Sequence, residues 1–413
     1  MRESGLRSLR APLATGMIVA AVACIPYSTG TSSANPSAAA SLLSPQQTPH
    51  PSVAIGPPPP AAAPWRSVRI APEGQVHAIT TGPREEFVAV GQAGWNGAVW
   101  ISRDLGESWM PATVPPVADD VAKSLIGVVS HADGLTAWGL QGGRASEHYQ
   151  SFIWTSADGQ AWTEVEVLQG FVLAMWPRVP GLPLDGQPFV AVGSRAGLTY
   201  MNGALAWSST DGITWTESPP VPGGDQAAIS DVVAVADGYI GVGATGAVPG
   251  QIRGISWHSS DGITWTPFPF DPTLADSALS DVASNESGTL FAVGSTSVTP
   301  EEGIGRPVIW SSADGADWTE AYAPPCCGEF MDIVGYGPVA LYRWYIPDGA
   351  FGHALVFEDE AGGWNEIGTP EVPDGTVWQG VTMVGADHLF GLAYVDEGGG
   401  SYYPVLLVPP EDL

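Results

Sequence analysis

Apolar and polar residues alternate in short runs along nearly the whole chain after residue 65, a period of two that is typical of β-strands. Glycine and aspartate turns separate the runs, and no run has the periodicity of an amphipathic helix. One apolar run recurs seven times and predicts the same strand in each of seven units: FVAVG (87–91), LTAWGL (135–140), FVAVG (189–193), YIGVG (239–243), LFAVG (290–294), VALYR (339–343) and LFGLA (389–393).

A second pattern is a turn of the form Ser-x-Asp-Gly-x-x-Trp, called here the motif turn. Its six copies lie about fifty residues apart, a period that indicates a repeat architecture. Each unit predicts four strands, with the apolar run in the second and the motif turn between the third and fourth. The copies are SRDLGESW (102–109), SADGQAW (156–162), STDGITW (209–215), SSDGITW (259–265), SADGADW (312–318) and the degenerate EDEAGGW (358–364).

The two patterns differ in number, seven second strands against six turns, and the difference predicts how the repeats close. The last unit ends after its third strand, YYPVLLV (402–408), whereas a spare strand, WRSVRI (65–70), precedes the first unit. Trp65 stands where the other fourth strands begin with tryptophan. We therefore predict an all-β, seven-bladed β-propeller over 65–411, with strand 65–70 completing the last blade and removing its exposed edge.

The first 64 residues have a different composition. Basic residues are followed by an apolar stretch, about 11–23, that is too short to span a bilayer, so 1–23 is predicted to be an export signal peptide. The sequence Ala21-Val22-Ala23-Cys24 resembles the bacterial lipobox, which implies a lipid on Cys24; ordinary cleavage after a small residue is the alternative. The Ser, Ala and Pro-rich segment 24–64 is predicted to be a disordered stalk.

The net charge of −29, from 14 basic and 43 acidic residues, excludes nucleic acid as an expected partner, because a polyanion would be repelled. A membrane is expected to be contacted only through a lipid on Cys24. No cofactor motif is found, and we expect a monomer. The adjacent Cys326 and Cys327 leave open either free thiols or a strained vicinal disulfide.

The motif turn resembles the Asp-box, or bacterial neuraminidase repeat, of sialidases, xyloglucan-cleaving glycosidases and sortilin-type receptors. This resemblance covers nearly all of 65–411 and implies a sialidase-like propeller of the exported lipoprotein type. In such a turn the aspartate accepts backbone N–H groups and the tryptophan packs between blades. A structural role is therefore expected for Asp104, Asp158, Asp211, Asp261 and Asp314.

Function is expected on the opposite face, where the loops between second and third strands surround the funnel. Half of the ten arginines after the stalk fall in these loops of five consecutive units, and aromatic residues accompany them. Arginine and aromatic side chains together suit a carboxylate-bearing ligand. The candidate ligand-binding residues are Arg144, Arg195, Arg253, Arg306, Arg343, Trp95, Tyr149, Tyr200 and Trp344.

Two alternatives to this binding rim remain open. Each arginine could instead pair with a nearby carboxylate and stabilise its own loop. Three aspartates that begin the first strand of neighbouring units, Asp231, Asp281 and Asp332, could either bind a cation or tie down the preceding loops.

The resulting expectation is a non-catalytic, exported binding or scaffold propeller that presents its funnel face to a protein or acidic glycan. The alternative is a glycoside hydrolase, sialidase-like or another exo-glycosidase, acting at the funnel. The catalytic residue set of the sialidases cannot be matched by motif. Their early Arg-Ile-Pro motif is matched imperfectly by Arg69-Ile70-Ala71-Pro72, which begins on the closing strand, and no tyrosine matches their nucleophile.

Overall fold

In the computed structural model, seven four-stranded antiparallel sheets are arranged as the blades of a β-propeller, which confirms the predicted fold class. No helix long and apolar enough to cross a membrane occurs in the part of the chain that the structure describes. The described residues are 65–118, 121–143, 149–176, 189–195, 203–223, 225–246, 251–270, 277–285, 287–297, 305–324, 328–335, 338–345, 351–359, 362–368, 372, 375–384, 388–398 and 401–409.

Blades 1 to 6 each consist of four consecutive strands, with the first strand innermost. The first three blades are β2–β5 (Gln75–Thr81, Phe87–Ala93, Asn96–Ser102, Met110–Pro111), β6–β9 (Val121–His131, Gly134–Gly143, Tyr149–Ser156, Thr163–Leu168) and β10–β13 (Phe171–Trp176, Phe189–Ser194, Ala204–Ser209, Thr216–Glu217). The next three are β14–β17 (Ala227–Val235, Gly238–Thr245, Arg253–Ser259, Thr266–Pro269), β18–β21 (Ser277–Ser284, Leu290–Ser297, Gly305–Ser312, Thr319–Tyr322) and β22–β25 (Gly328–Val334, Val339–Tyr345, Phe351–Glu358, Trp364–Gly368).

Blade 7 joins the two ends of the propeller. Its inner strands are β26 (Thr376–Val384), β27 (His388–Gly398) and β28 (Ser401–Val408), and its outermost strand is β1 (Arg66–Arg69). Strand β1 runs antiparallel to β28, with Arg66 opposite Val408. The closing strand predicted at 65–70 is therefore confirmed.

The apolar core lies in the seams between adjacent blades. In the seam between blades 1 and 2, for example, Val88 and Val90 pack against Leu125 and Trp154. Each sheet is apolar on both faces, so a blade needs a neighbour on each side, which only a closed ring provides.

All seven innermost strands are interrupted by a one-residue shift in register, a β-bulge that bends the strand and re-aims the residue after it. The shifts lie between Val76 and Ala78, Leu125 and Gly127, Val172 and Ala174, Ile229 and Asp231, Leu279 and Asp281, Phe330 and Asp332, and Trp378 and Gly380.

The closing strand brings Trp65 into the seam between blades 6 and 7. The Trp65 ring is 4% exposed and lies 5.5 Å from the ring of Trp378, within a cluster that includes Leu341 of blade 6. The indole thus contributes the apolar surface that secures the last blade to its neighbour.

Replacing Trp65 with alanine is expected to lower the free energy of unfolding by about 3–5 kcal/mol, because a large buried ring leaves a cavity. Trp95→Ala is the matched control, since the Trp95 side chain is 38% exposed, and a change of less than about 1 kcal/mol is expected. Denaturant unfolding of both variants measures the difference. Equal losses would contradict the assigned role of Trp65.

Candidate functional site

The strand directions define two faces. The hairpins between second and third strands and the connections from one blade to the next open on one side, the funnel face. The motif turns lie on the other side, the motif face. Trp95 lies on the funnel face, in the hairpin between β3 and β4, and its carbonyl oxygen accepts the backbone N–H of Lys123 from blade 2 at 2.9 Å.

Two predicted rim arginines lie at the funnel ends of neighbouring blades. Arg195 directly follows β11, is exposed, and has no ion-pair partner among the described residues. Arg253 opens β16, is half-buried, and donates from one guanidinium nitrogen to the carbonyl of Ile252 at 2.8 Å. These two residues place positive charge on the funnel side of blades 3 and 4.

The other two described rim arginines are engaged by carboxylates. Arg306 binds Glu320 on the outermost strand of blade 5 through two contacts, 2.6 and 2.8 Å, and this side-chain hydrogen bonding raises the pKa of Arg306 and lowers the pKa of Glu320. Arg343 forms an ion pair with the buried Glu329 opposite it on β22. Their charges are balanced within their own blades.

Several other predicted site residues cannot be placed. Arg144, Tyr200, Cys24, Cys326 and Cys327 lie outside the described residues, as do the side chains of Tyr149 and Trp344.

Sequence reasoning missed that three polar residues lie side by side across the strands of blade 6, next to blade 7: Glu329, Arg343 and His353. His353 pairs in register with Arg343 on the adjacent strand, and its ring packs 6.4 Å from that of Trp378. Burial, followed by the charge of the neighbouring Arg343, lowers the pKa of His353 to about 4. His353 is therefore neutral at physiological pH, and only the strand register, not the sequence spacing, brings it to Arg343.

The chain's single lysine was also missed. Lys123 is 7% exposed, forms an ion pair with Glu164 of the same blade, and lies over the ring of Phe152. Glu164 in turn accepts the indole N–H of Trp154 at 3.0 Å. A buried, paired lysine of this kind belongs to the packing of blade 2 rather than to an open site.

The three inner aspartates, in contrast, come together. Asp231, Asp281 and Asp332 occupy the position after the bulge in the inner strands of blades 4, 5 and 6. Burial, followed by the charge and hydrogen bond of Asp281, raises the pKa of Asp231 well above its usual range; burial and the hydrogen bond with Asp281 do the same for Asp332. Within the described ranges, no three His, Cys, Asp or Glu side chains are arranged to hold a metal ion.

The motif turns use their polar groups internally. In blade 3, Asp211 accepts the backbone N–H groups two and three residues ahead, both at 2.8 Å, and the hydroxyl of Ser209 at 3.0 Å. Gly212 has a φ of 71°, a conformation that favours glycine, and its carbonyl accepts the indole N–H of Trp215 at 3.3 Å. Equivalent bonds from turn amides reach Asp104, Asp158, Asp261 and Asp314.

These hydrogen bonds favour the charged carboxylate. The side chain and backbone of Ser108 lower the pKa of Asp104 to about 2. The pKa of each of the other four motif aspartates also lies below its ordinary value.

The fold and its two faces define the chain as a seven-bladed β-propeller protein. No protein family and no curated protein sequence matches it. Similar solved structures include a protein of unknown function from Dyadobacter fermentans (14% identity, TM-score 0.47, covering 85% of this chain and 100% of that chain). Another is the Penicillium chrysogenum alpha-L-arabinanase complexed with arabinobiose (11%, TM-score 0.47, 85% and 99%). A third is the Trypanosoma rangeli sialidase in complex with the inhibitor DANA (13%, TM-score 0.45, 82% and 55%). These likenesses identify neither a substrate nor a reaction.

The motif carboxylates give the propeller a defined response to acid. Because the pKa of Asp104 in the folded state is about 2, against about 3.9 when unfolded, its stabilising contribution is present above pH 4 and is lost as the pH falls toward 2. Asp104→Asn is therefore expected to reduce the steepness with which the melting temperature falls between pH 4 and 2.

Asp225→Asn, at an exposed position outside any motif turn, serves as the control and should melt in parallel with the unaltered protein over this range. If Asp104→Asn showed the same acid response as that control, the motif carboxylate would not be the titrating group.

Proposed function

We propose that this protein is a non-catalytic binding module that is exported from the cell and presents its funnel face to a ligand. The observation that carries the proposal is the placement of the exposed Trp95 ring and of Arg195 on the face opposite the one where β1 begins and β28 ends. Exposed aromatic rings and arginines are the side chains that contribute most to recognition.

The direction of the closing strands supports this orientation. Strand β28 enters blade 7 from its hairpin with β27 on the funnel face and ends at Val408 on the motif face. Strand β1 begins opposite that residue, at Arg66. The start of β1 therefore lies at the motif face, and a tether joined there leaves the funnel face free to bind.

The tether is part of the proposal. We infer that residues 1–23 direct export, that Cys24 carries a lipid, and that the Pro-rich segment to residue 64 holds the propeller away from the membrane. A single acyl chain anchors only weakly, so a lipoprotein of this kind relies on more than one chain.

The proposed ligand bears a carboxylate, on either an acidic glycan or a protein. Arg195, which is exposed and has no ion-pair partner among the described residues, is assigned the main contact with the ligand, and Arg253 lies at the funnel end of the next blade. Because the chain as a whole carries a net charge of −29, a polyanion is repelled at long range and only a locally charged group suits these two residues.

Replacing Arg195 or Arg253 with alanine is expected to weaken binding to immobilised sialylated and uronic-acid glycans by about tenfold to a hundredfold, as for a lost hydrogen bond to a charged group. Arg306→Ala is the matched control, because that guanidinium already binds Glu320, and it should leave binding unchanged.

The same preparation tests for catalysis with a panel of chromogenic glycosides. Turnover that disappears in Arg195→Ala would overturn the non-catalytic assignment and favour a glycoside hydrolase. Glycan and protein ligands are distinguished by repeating the measurement with proteins captured from the cell envelope of the source organism.

Anchoring is tested separately. Cys24→Ala is expected to move the protein from the membrane fraction to the soluble extracytoplasmic fraction, because the thiol that accepts the lipid is absent. Cell fractionation with metabolic labelling by a fatty-acid analogue measures both changes. An unlabelled wild-type protein that is already soluble would contradict the lipid anchor while leaving the binding proposal intact.

A further inference from the structure

The inner aspartates connect four blades in series. The Oδ2 atom of Asp231 accepts the N–H of Val282 from blade 5 at 3.0 Å, and that of Asp281 accepts the N–H of Ile333 from blade 6 at 2.9 Å. The Oδ2 atom of Asp332 accepts the N–H of Val381 from blade 7 at 3.1 Å. Each carboxyl group therefore ties its own blade to the next one around the ring.

The three carboxyl groups are also neighbours. The Oδ2 atom of Asp231 and the Oδ1 atom of Asp281 lie 3.0 and 2.8 Å from the same backbone nitrogen, that of Val282, and the Oδ2 atom of Asp281 lies 2.9 Å from the nitrogen of Ile333, the residue that follows Asp332. Asp281 is thus within hydrogen-bonding reach of both flanking carboxyl groups. A hydrogen bond between two carboxyl groups requires a proton on one of them, because an ionised carboxylate only accepts. Two such bonds to the central Asp281 are both satisfied when Asp231 and Asp332 each carry a proton.

On the described inner strands, no cationic side chain takes the place of these protons. The other titratable side chains on the seven inner strands are His77, Lys123, His131 and Glu329. Lys123 and Glu329 are held in ion pairs with Glu164 and Arg343.

Both histidines are neutral and are hydrogen-bonded to other groups. His77 lies 2.7 Å from the carbonyl of Leu125, and burial lowers its pKa; burial also lowers the pKa of His131, which lies beside Thr136. On the second strands packed outside the aspartates, the charged or titratable groups of blades 4 to 6 include Tyr239 and the already paired Arg343.

The series ends where the next blade offers no carboxyl group. A Cβ atom at Gly380 would lie 2.8 Å from the Oδ2 atom of Asp332, so glycine allows this carboxyl group to approach the blade 7 backbone. The equivalent positions in blades 1 to 3 are Ala78, Gly127 and Ala174. The linked seams are therefore those from blade 4 to blade 7.

We propose that Asp231, Asp281 and Asp332 form a proton-dependent clasp, in which Asp231 and Asp332 each share a proton with Asp281 between them and release of those protons loosens the seams from blade 4 to blade 7. This device is independent of any ligand at the funnel face. The stabilisation that the clasp itself contributes is greatest in acid and falls as the pH rises.

The sign follows from linkage. Folding raises the pKa values of Asp231 and Asp332. The contribution of these two groups to the free energy of unfolding is therefore complete below about pH 3.9, and it is lost as the pH rises through their pKa values in the folded protein. This response is opposite in sign to that of the motif aspartates.

The test is the pH dependence of unfolding, compared between the unaltered mature protein and the double variant Asp231→Asn, Asp332→Asn. Asparagine keeps the shape of a neutral acid, donates to Asp281 and accepts the backbone N–H of the next blade. Above pH 5, the unfolding constant of the unaltered protein should rise relative to the variant by up to about a hundredfold per pH unit while both protons are retained. Asp225→Asn is the control and should behave as the unaltered protein.

A second measurement does not depend on the folding of the variant. At pH 7 the infrared spectrum of the unaltered protein should contain the carbonyl stretch of protonated carboxylic acids, and this band should disappear on titration to high pH. Absence of that band, or an identical pH dependence in the unaltered protein and the double variant, would overturn the proposal.

Discussion

The burial of both faces of every blade is the constraint on which the rest of the structure depends. A four-stranded sheet with two apolar faces needs two neighbours, and a linear array would leave a face exposed at each end. Pairing of β1 with β28 closes the ring, so that Trp65 enters the seam between blades 6 and 7 as the motif tryptophans enter the others. The stability of each blade therefore depends on all the others.

Polar groups in this apolar ring are satisfied locally, and two sets of aspartates show how differently the same side chain can be used. Asp211 sits in an open turn, where backbone N–H groups favour its carboxylate. Asp231 and Asp332 instead lie buried among the inner strands, on either side of Asp281, where neighbouring negative charges would repel each other. Burial and the neighbouring carboxyl groups raise the pKa values of Asp231 and Asp332, whereas the exposed motif aspartates have their pKa values lowered by hydrogen bonds.

The two faces of the ring divide support from recognition. Motif turns on one face use their carboxylates and glycines to hold adjacent strands, and both ends of the propeller emerge there. The other face carries the exposed Trp95 and Arg195. This division explains why the most regular pattern in the chain does not coincide with the proposed binding face.

The sequence by itself determined the class of fold, the number of blades and the closing strand, because each depends on a local pattern repeated about every fifty residues. It also located Asp231, Asp281 and Asp332 at equivalent positions, but not the hydrogen bonds that link them. Only the tertiary structure paired Arg306 with Glu320, placed His353 beside Arg343 and buried Lys123 against Glu164. These contacts depend on strand register and on the packing of one blade against the next, which join residues that no sequence spacing relates.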